Sequence, residues 1–162
     1  MSELLKVEDL WVEGRPPGGD YETIVKGVSF TIEPGEVLAL IGESGSGKST
    51  ISLAALGYTR PGCRIARGQI FLNDEDVLSF DQPGRRHIRG SKVAYVAQSA
   101  AAAFNPAMTI NRQVTEAPRV HGIMPANEAT DRSIDLYRRL DLPDPESIGR
   151  RYPHQVSGGQ LQ

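Results

Sequence analysis

Nine consecutive residues, Gly42-Glu43-Ser44-Gly45-Ser46-Gly47-Lys48-Ser49-Thr50, fill the spacing G-x-x-x-x-G-K-[ST] at every fixed position. Residues of these types in this order suit one chemistry, the cradling of a nucleoside triphosphate. The glycines let successive backbone N–H groups converge on phosphate oxygens, and a helix starting behind them adds the positive end of its dipole. Lys48 then reaches the β- and γ-phosphates as a point charge, the Ser49 hydroxyl is a ligand for Mg²⁺, and Thr50 serves the helix.

That chemistry needs a strand ahead of the loop and a helix behind it. Val37-Leu38-Ala39-Leu40-Ile41 is a short apolar run of the kind expected of a strand buried on both faces. Ile51, Ala54, Ala55 and Tyr58 recur at helical spacing. Further upstream, Leu4 to Val12 alternates loosely, with Leu5, Val7 and Leu10 on one side, and reads as a first strand. The Gly/Pro-rich stretch 14–20 is a loop, Ile24 to Ile32 resumes a strand, and Glu33-Pro34-Gly35-Glu36 turns the chain.

Beyond the helix, Gln69-Ile70-Phe71-Leu72 reads as a strand closed by a turn at Asn73-Asp74. Lys92 to Ala97 reads as another, delivering Gln98 at its C-terminal end. Ligands of open α/β sheets bind beyond such strand ends, so Gln98 is a candidate neighbour of the phosphates; a polar residue that merely caps the strand fits the local pattern equally well. From Thr109 the signals turn helical, with a helix from Glu128 to Leu140 whose Ile134, Tyr137 and Leu140 share a face. Ser157-Gly158-Gly159 then precedes the start of another helix, a second possible anion-binding position. A chain that stops at the start of a helix has not buried what that helix would cover, and this predicts a truncated domain.

Composition excludes more than it identifies. At 162 residues, 39% hydrophobic and 23% charged, the chain suits a domain with a real core. A net charge of −2 provides no field to attract nucleic acid or an anionic membrane surface. No run approaches the roughly 18 to 20 apolar residues of a membrane span, and the first residues lack the apolar centre of a signal peptide, so a cytosolic location is expected. Cys63 stands alone, and His87, His121 and His154 lack ligand spacing, so no internal disulfide or zinc site is expected.

Taken together, Gly42 to Thr50, Gln98 and Val156-Ser157-Gly158-Gly159-Gln160 resemble the nucleotide-binding subunit of ATP-binding cassette (ABC) transporters in order and approximate spacing. The glycine-rich loop is similar to the Walker A motif, and Ser157-Gly158-Gly159-Gln160 to the ABC signature. Phe104-Asn105-Pro106 and Tyr152-Pro153-His154-Gln155 look like the branch that imports oligopeptides, dipeptides, nickel and similar solutes. Departures are Val156 where leucine is usual, Leu161 where a polar residue often stands, and Ser99 where aspartate commonly follows the glutamine. The first two bear on helix packing, the third on contact with a transmembrane partner.

The resemblance implies an α/β fold, a P-loop NTPase of the ABC type, with a β-rich Walker A part over about residues 1–98 and a helical subdomain over about 99–162. It implies ATP and Mg²⁺ as cofactors, with Ser49 and Gln98 on the metal and Tyr21 stacking on adenine; Trp11 is the second aromatic in range. It further implies a head-to-tail pair of ATPase domains, in which Ser157, Gly158, Gly159 and Gln160 meet the ATP of the opposite protomer. Transmembrane permease subunits would be direct partners at the cytoplasmic face of the inner membrane, and a periplasmic or extracellular solute-binding protein an indirect one, with no role for nucleic acid. The family's Walker B aspartate, catalytic glutamate and switch histidine follow the signature and have no counterpart in these residues, so binding of ATP without hydrolysis is expected. A soluble ABC ATPase acting on nucleic acid or the ribosome and a non-functional remnant are the rival expectations.

Overall fold

Alternating apolar and polar residues at the start of the chain form strands β1 (Leu5–Gly14) and β2 (Glu22–Ile32), later joined by β3 (Cys63–Leu72) and the two-residue β4 (Glu75–Asp76). They pair antiparallel throughout in the order β2-β1-β3-β4. The computed structural model describes residues 3–162, which fall into two compact units, one ending at Arg89 and the other running from Gly90 to Gln162.

In the first unit β1 is the central strand, with Val7 opposite Phe30 of β2 and Ile70 of β3. The pairing slips between Val7 and Leu10 because Asp9 adopts a left-handed conformation, φ 47°. The extra residue explains why Val7, Leu10 and Val12 are all buried, although strict alternation would turn Leu10 away from Val7. Asp9 is held by Trp11, whose Nε1–H donates to its carboxylate at 2.8 Å, and by Arg67 at 2.8 Å. Gly68 lies opposite this bulge at φ 112°, where a Cβ would come within 2.7 Å of the Asp9 carbonyl oxygen. Only glycine fits there.

Helix α1 (Lys48–Ala55) buries Leu53, Ala54 and Ala55, which share the core with Val25, Ile70, Leu72, Val77 and Ile88. Helix α2 (Gln82–Ile88) is capped by Asp81, whose carboxylate accepts the Gly84 N–H at 2.8 Å.

Several sequence expectations change. Val37 to Ile41 is not a strand: Val37 and Ile41 are 91% and 93% exposed. A strand buried on both faces takes its hydrogen bonds from flanking strands, and no described segment pairs with this one. Lys92 to Ala97 is not a strand either, forming no more than a single bridge at Val93 and leaving Val96 81% exposed, so Gln98 follows an irregular stretch. Conversely, β3 begins six residues earlier than the apolar run at Gln69, because Cys63 to Arg67 pairs with the end of β1 beyond the bulge. Its Arg64 and Arg67 conceal the pattern.

The second unit is helical, comprising α3 (Ala100–Ala103), α4 (Ile110–Val114), α5 (Glu116–Val120), α6 (Ala126–Arg139), α7 (Pro145–Ile148), a 3₁₀ turn (Pro153–Gln155) and α8 (Gly158–Leu161). Its core is Ile110, Tyr137 and Ile148, against which Phe104, Leu142, Val156 and Leu161 pack. The buried face of α6 is Ala129, Ser133 and Tyr137. The expected partners differ in that Ile134 is half-buried and Leu140, beyond the last turn, is 70% exposed. A polar hub replaces the missing apolar contact: the Asn111 side chain of α4 accepts from Ser133 and donates to Thr130 at 3.3 Å.

Candidate functional site

The loop 42–47 leads into α1 through Gly47, whose left-handed φ of 88° makes the turn from extended chain to helix. A Cβ at Gly47 would contact Val25 Cγ2 at 3.4 Å, so the loop lies against β2. Glycine has no side chain to cap the helix, and the first N–H groups of α1 receive no side-chain acceptor. They are free for an anion.

Lys48 turns back over this loop, its ammonium donating to the carbonyl oxygens of Gly42 at 2.8 Å and Glu43 at 2.6 Å and to Ser46 Oγ at 3.2 Å. Those bonds place the charge on the same side as the loop it closes. Ser44, Gly45 and Ser46 are exposed on the rim, while Ser49 is exposed and Thr50 half-buried in the first turn of α1. These donors fit a triphosphate: a backbone cradle, one cation and one hydroxyl. No group of three or more metal-ligating side chains occurs among the described residues, so Mg²⁺ would depend on phosphate oxygens together with Ser49.

Tyr21 immediately precedes β2 and is 41% exposed. The Arg64 guanidinium carbon lies 4.0 Å from its ring centroid, and that of Arg15 lies 5.8 Å from it. Trp11, the other aromatic considered, is a half-buried β1 residue committed to Asp9.

In the second unit, Gln98 is exposed and lies between two backbone groups tied to α8. Gln162 donates to the Ala97 carbonyl oxygen at 3.2 Å and accepts the Ala100 N–H at 3.2 Å. This brings the Gln98 turn and the segment Ser157 to Gln160 together. Ser157 caps α8, its N–H bound to Gln160 Oε1 at 2.9 Å and its Oγ accepting the Gln160 N–H at 3.3 Å. Gln160 is thus engaged in shaping the turn, while Gly158 and Gly159 stay exposed. Val156 and Leu161, the two departures, both pack against the helical core. Sequence reasoning missed Arg64 and Gln162, because neither belongs to a motif and only the β1–β3 register or the fold of α8 reveals what they touch.

Comparison with known proteins identifies relatives of this chain. The oligopeptide transport ATP-binding protein OppD of Lactococcus lactis subsp. cremoris (strain SK11) is 36% identical over 89% of this chain and 43% of its own length. The oligopeptide transport ATP-binding protein AppD of Bacillus subtilis (strain 168) is 40% identical over 85% of this chain and 42% of its own. OppD of Mycobacterium tuberculosis (strain ATCC 25618 / H37Rv) is 36% identical across the whole chain and 26% of its own length. The chain therefore spans less than half of each of these relatives. The family model described as ABC transporter matches residues 25–162, from the β2 strand beneath the loop to the last residue, and the chain belongs to that family, with a P-loop NTPase domain of the ABC type.

Proposed function

We propose that this chain binds ATP with Mg²⁺ through Gly42 to Thr50 and is the ATP-binding part of an importer for peptides, nickel or similar small solutes. The observation that carries the nucleotide reading is the loop itself, closed by the Lys48 ammonium and followed by a helix without a side-chain cap behind Gly47. The import reading rests on relatives named oligopeptide transport ATP-binding proteins. It is supported by the Phe104-Asn105-Pro106 turn, which Gln113 holds by accepting the Asn105 N–H at 2.8 Å and donating to its carbonyl oxygen at 3.0 Å.

On this reading Ser49 and Gln98 would hold Mg²⁺, which would supply charge neutralisation for the triphosphate beside the backbone cradle, and Gln98 would report the nucleotide state to a permease. Ser157, Gly158 and Gly159 serve the ATP of a second ATPase domain docked head to tail, with Gln160 holding their turn. The protein works at the cytoplasmic face of the membrane through its permease, and no described helix is long and apolar enough to cross a bilayer. The 162 residues bind nucleotide without turning it over. Titration with a fluorescent ATP analogue and Mg²⁺ tests this: wild type is expected to bind and Lys48→Ala to bind at least tenfold more weakly. Equal affinities overturn the reading, as does sustained phosphate release that Lys48→Ala abolishes for the absence of turnover.

A further inference from the structure

Tyr21 follows a Gly/Pro-rich loop, where an aromatic side chain would ordinarily sample several rotamers and lose that freedom on binding. Here it does not stand alone. Glu13 of β1 and Arg64 of β3 face each other across the sheet, and the Glu13 carboxylate accepts from Arg64 Nε at 2.9 Å and Nη2 at 2.8 Å. Both bonds go to one carboxylate oxygen and hold the guanidinium, whose carbon lies 4.0 Å from the Tyr21 ring centroid. Arg15, tethered to the Gly19 carbonyl oxygen at 2.8 Å, stands farther off at 5.8 Å. A guanidinium at 4.0 Å covers one ring face, yet Tyr21 keeps 41% of its surface exposed.

The ring is also in the right place to serve the loop. Gly47 lies against Ile24 and Val25, and Tyr21 is three residues before Ile24, about 10 Å along an extended chain. We propose that Arg64, locked by Glu13, is a positioning residue for the nucleobase: it stacks on one face of Tyr21 and presents the other to a planar purine, giving an Arg–Tyr–base stack. The inference rests on the reading that Tyr21 stacks on the base of the bound nucleotide. A planar cation backs an aromatic ring in a way that a lysine cannot reproduce.

Two probes separate base from phosphate contacts in the 162-residue chain: ATP and inorganic tripolyphosphate, each with Mg²⁺. Tyr21→Ala is expected to weaken ATP and leave tripolyphosphate unchanged. Arg64→Ala should act in the same direction, roughly two- to fivefold on ATP, with no effect on tripolyphosphate. Arg64→Lys should recover little of that loss, and Arg64→Ala made in a Tyr21→Ala background should add nothing. Arg64 is largely exposed, and an unchanged tripolyphosphate affinity reports an intact loop. If Tyr21→Ala is base-selective but Arg64→Ala is not, or if Arg64→Ala tightens ATP, the positioning role is overturned and the Tyr21 reading stands. Full rescue by lysine overturns the stack in favour of charge alone. If Tyr21→Ala shows no base selectivity, or wild type binds neither probe, the reading beneath the inference fails and the inference with it.

Discussion

The Lys48 ammonium lies 2.6 Å from the carbonyl oxygen of Glu43, five residues before it, so the cation expected to meet phosphate also ties the loop to itself. An incoming anion must compete for that ammonium. The bonds are exposed, and exposed polar contacts of this type contribute little to folding, on the order of 0–1 kcal/mol in total. Lys48→Ala is therefore expected to leave the melting temperature without ligand within a few degrees of wild type. It should, however, remove the stabilisation that MgATP confers, which follows from RT ln(1 + [L]/Kd). Thermal melts of both proteins with and without MgATP check this, and equal ligand-induced shifts would contradict it.

Gly68 supports the bulge at Asp9. An alanine there must hold φ near 112° and move the Asp9 and Leu10 backbone from about 2.7 Å, with no flexible side chain to give way. Gly68→Ala should cost roughly 2–4 kcal/mol, combining backbone strain with overpacking. Urea unfolding followed by circular dichroism measures it. A loss below 0.5 kcal/mol would show that the bulge relaxes freely.

The parts legible in the sequence were those set by local chemistry. The loop 42–50 could be read because its function dictates residue type at every fixed position, and β1, β2 and α1 because each buries one side. Val37 to Ile41 reads as a strand because its apolar run is genuine, but pairing is a property of neighbours and does not show in the run. Arg64 is the converse case: an arginine in an unremarkable stretch acquires a role only when β3 pairs with β1 and sets it beside Glu13 and Tyr21. Leu10 was placed on the correct side only because Asp9 inserts a bulge, a feature with no local signal strong enough to predict it.

The unpaired segment makes a prediction of its own. Val37 and Ile41 lose almost no surface to the fold, so their replacement removes no core contact. Val37→Lys with Ile41→Lys should change unfolding free energy by less than about 0.5 kcal/mol per site. It should also reduce self-association, because an exposed apolar segment without strand partners invites pairing between chains. Light scattering at rising concentration, beside urea unfolding, tests both parts; a large stability loss would mean that this segment is packed after all.

The last prediction concerns alkaline pH and the helical unit. Tyr137 on α6 is buried, with its phenol oxygen 3.5 Å from Asn111 Oδ1. Burial pushes the phenol above its ordinary value, and a hydrogen bond with Ser133 offsets part of that rise. The fold therefore favours the neutral phenol over the phenolate more than the unfolded chain does. Its contribution is fully present below the unfolded pKa, about 10, and is lost as pH rises through the higher folded value. Stability should be flat with respect to this group from neutrality to about pH 9 and then fall. Lys6, raised mainly by its hydrogen bond to Glu8, loses stability over a similar alkaline range, but it does so in both proteins when wild type is compared with Tyr137→Phe. The phenylalanine variant keeps the ring in the Ile110–Ile148 core and loses the hydrogen bonds of the phenol to Asn111 and Ser133, so about 0.5–1.5 kcal/mol is expected at neutral pH. Above pH 10 the gap should close and then reverse, because only wild type must bury or expel a charge. Urea unfolding of both proteins at pH 7, 9 and 10.5 provides the test, and parallel curves across that range would show that Tyr137 ionises as easily folded as unfolded.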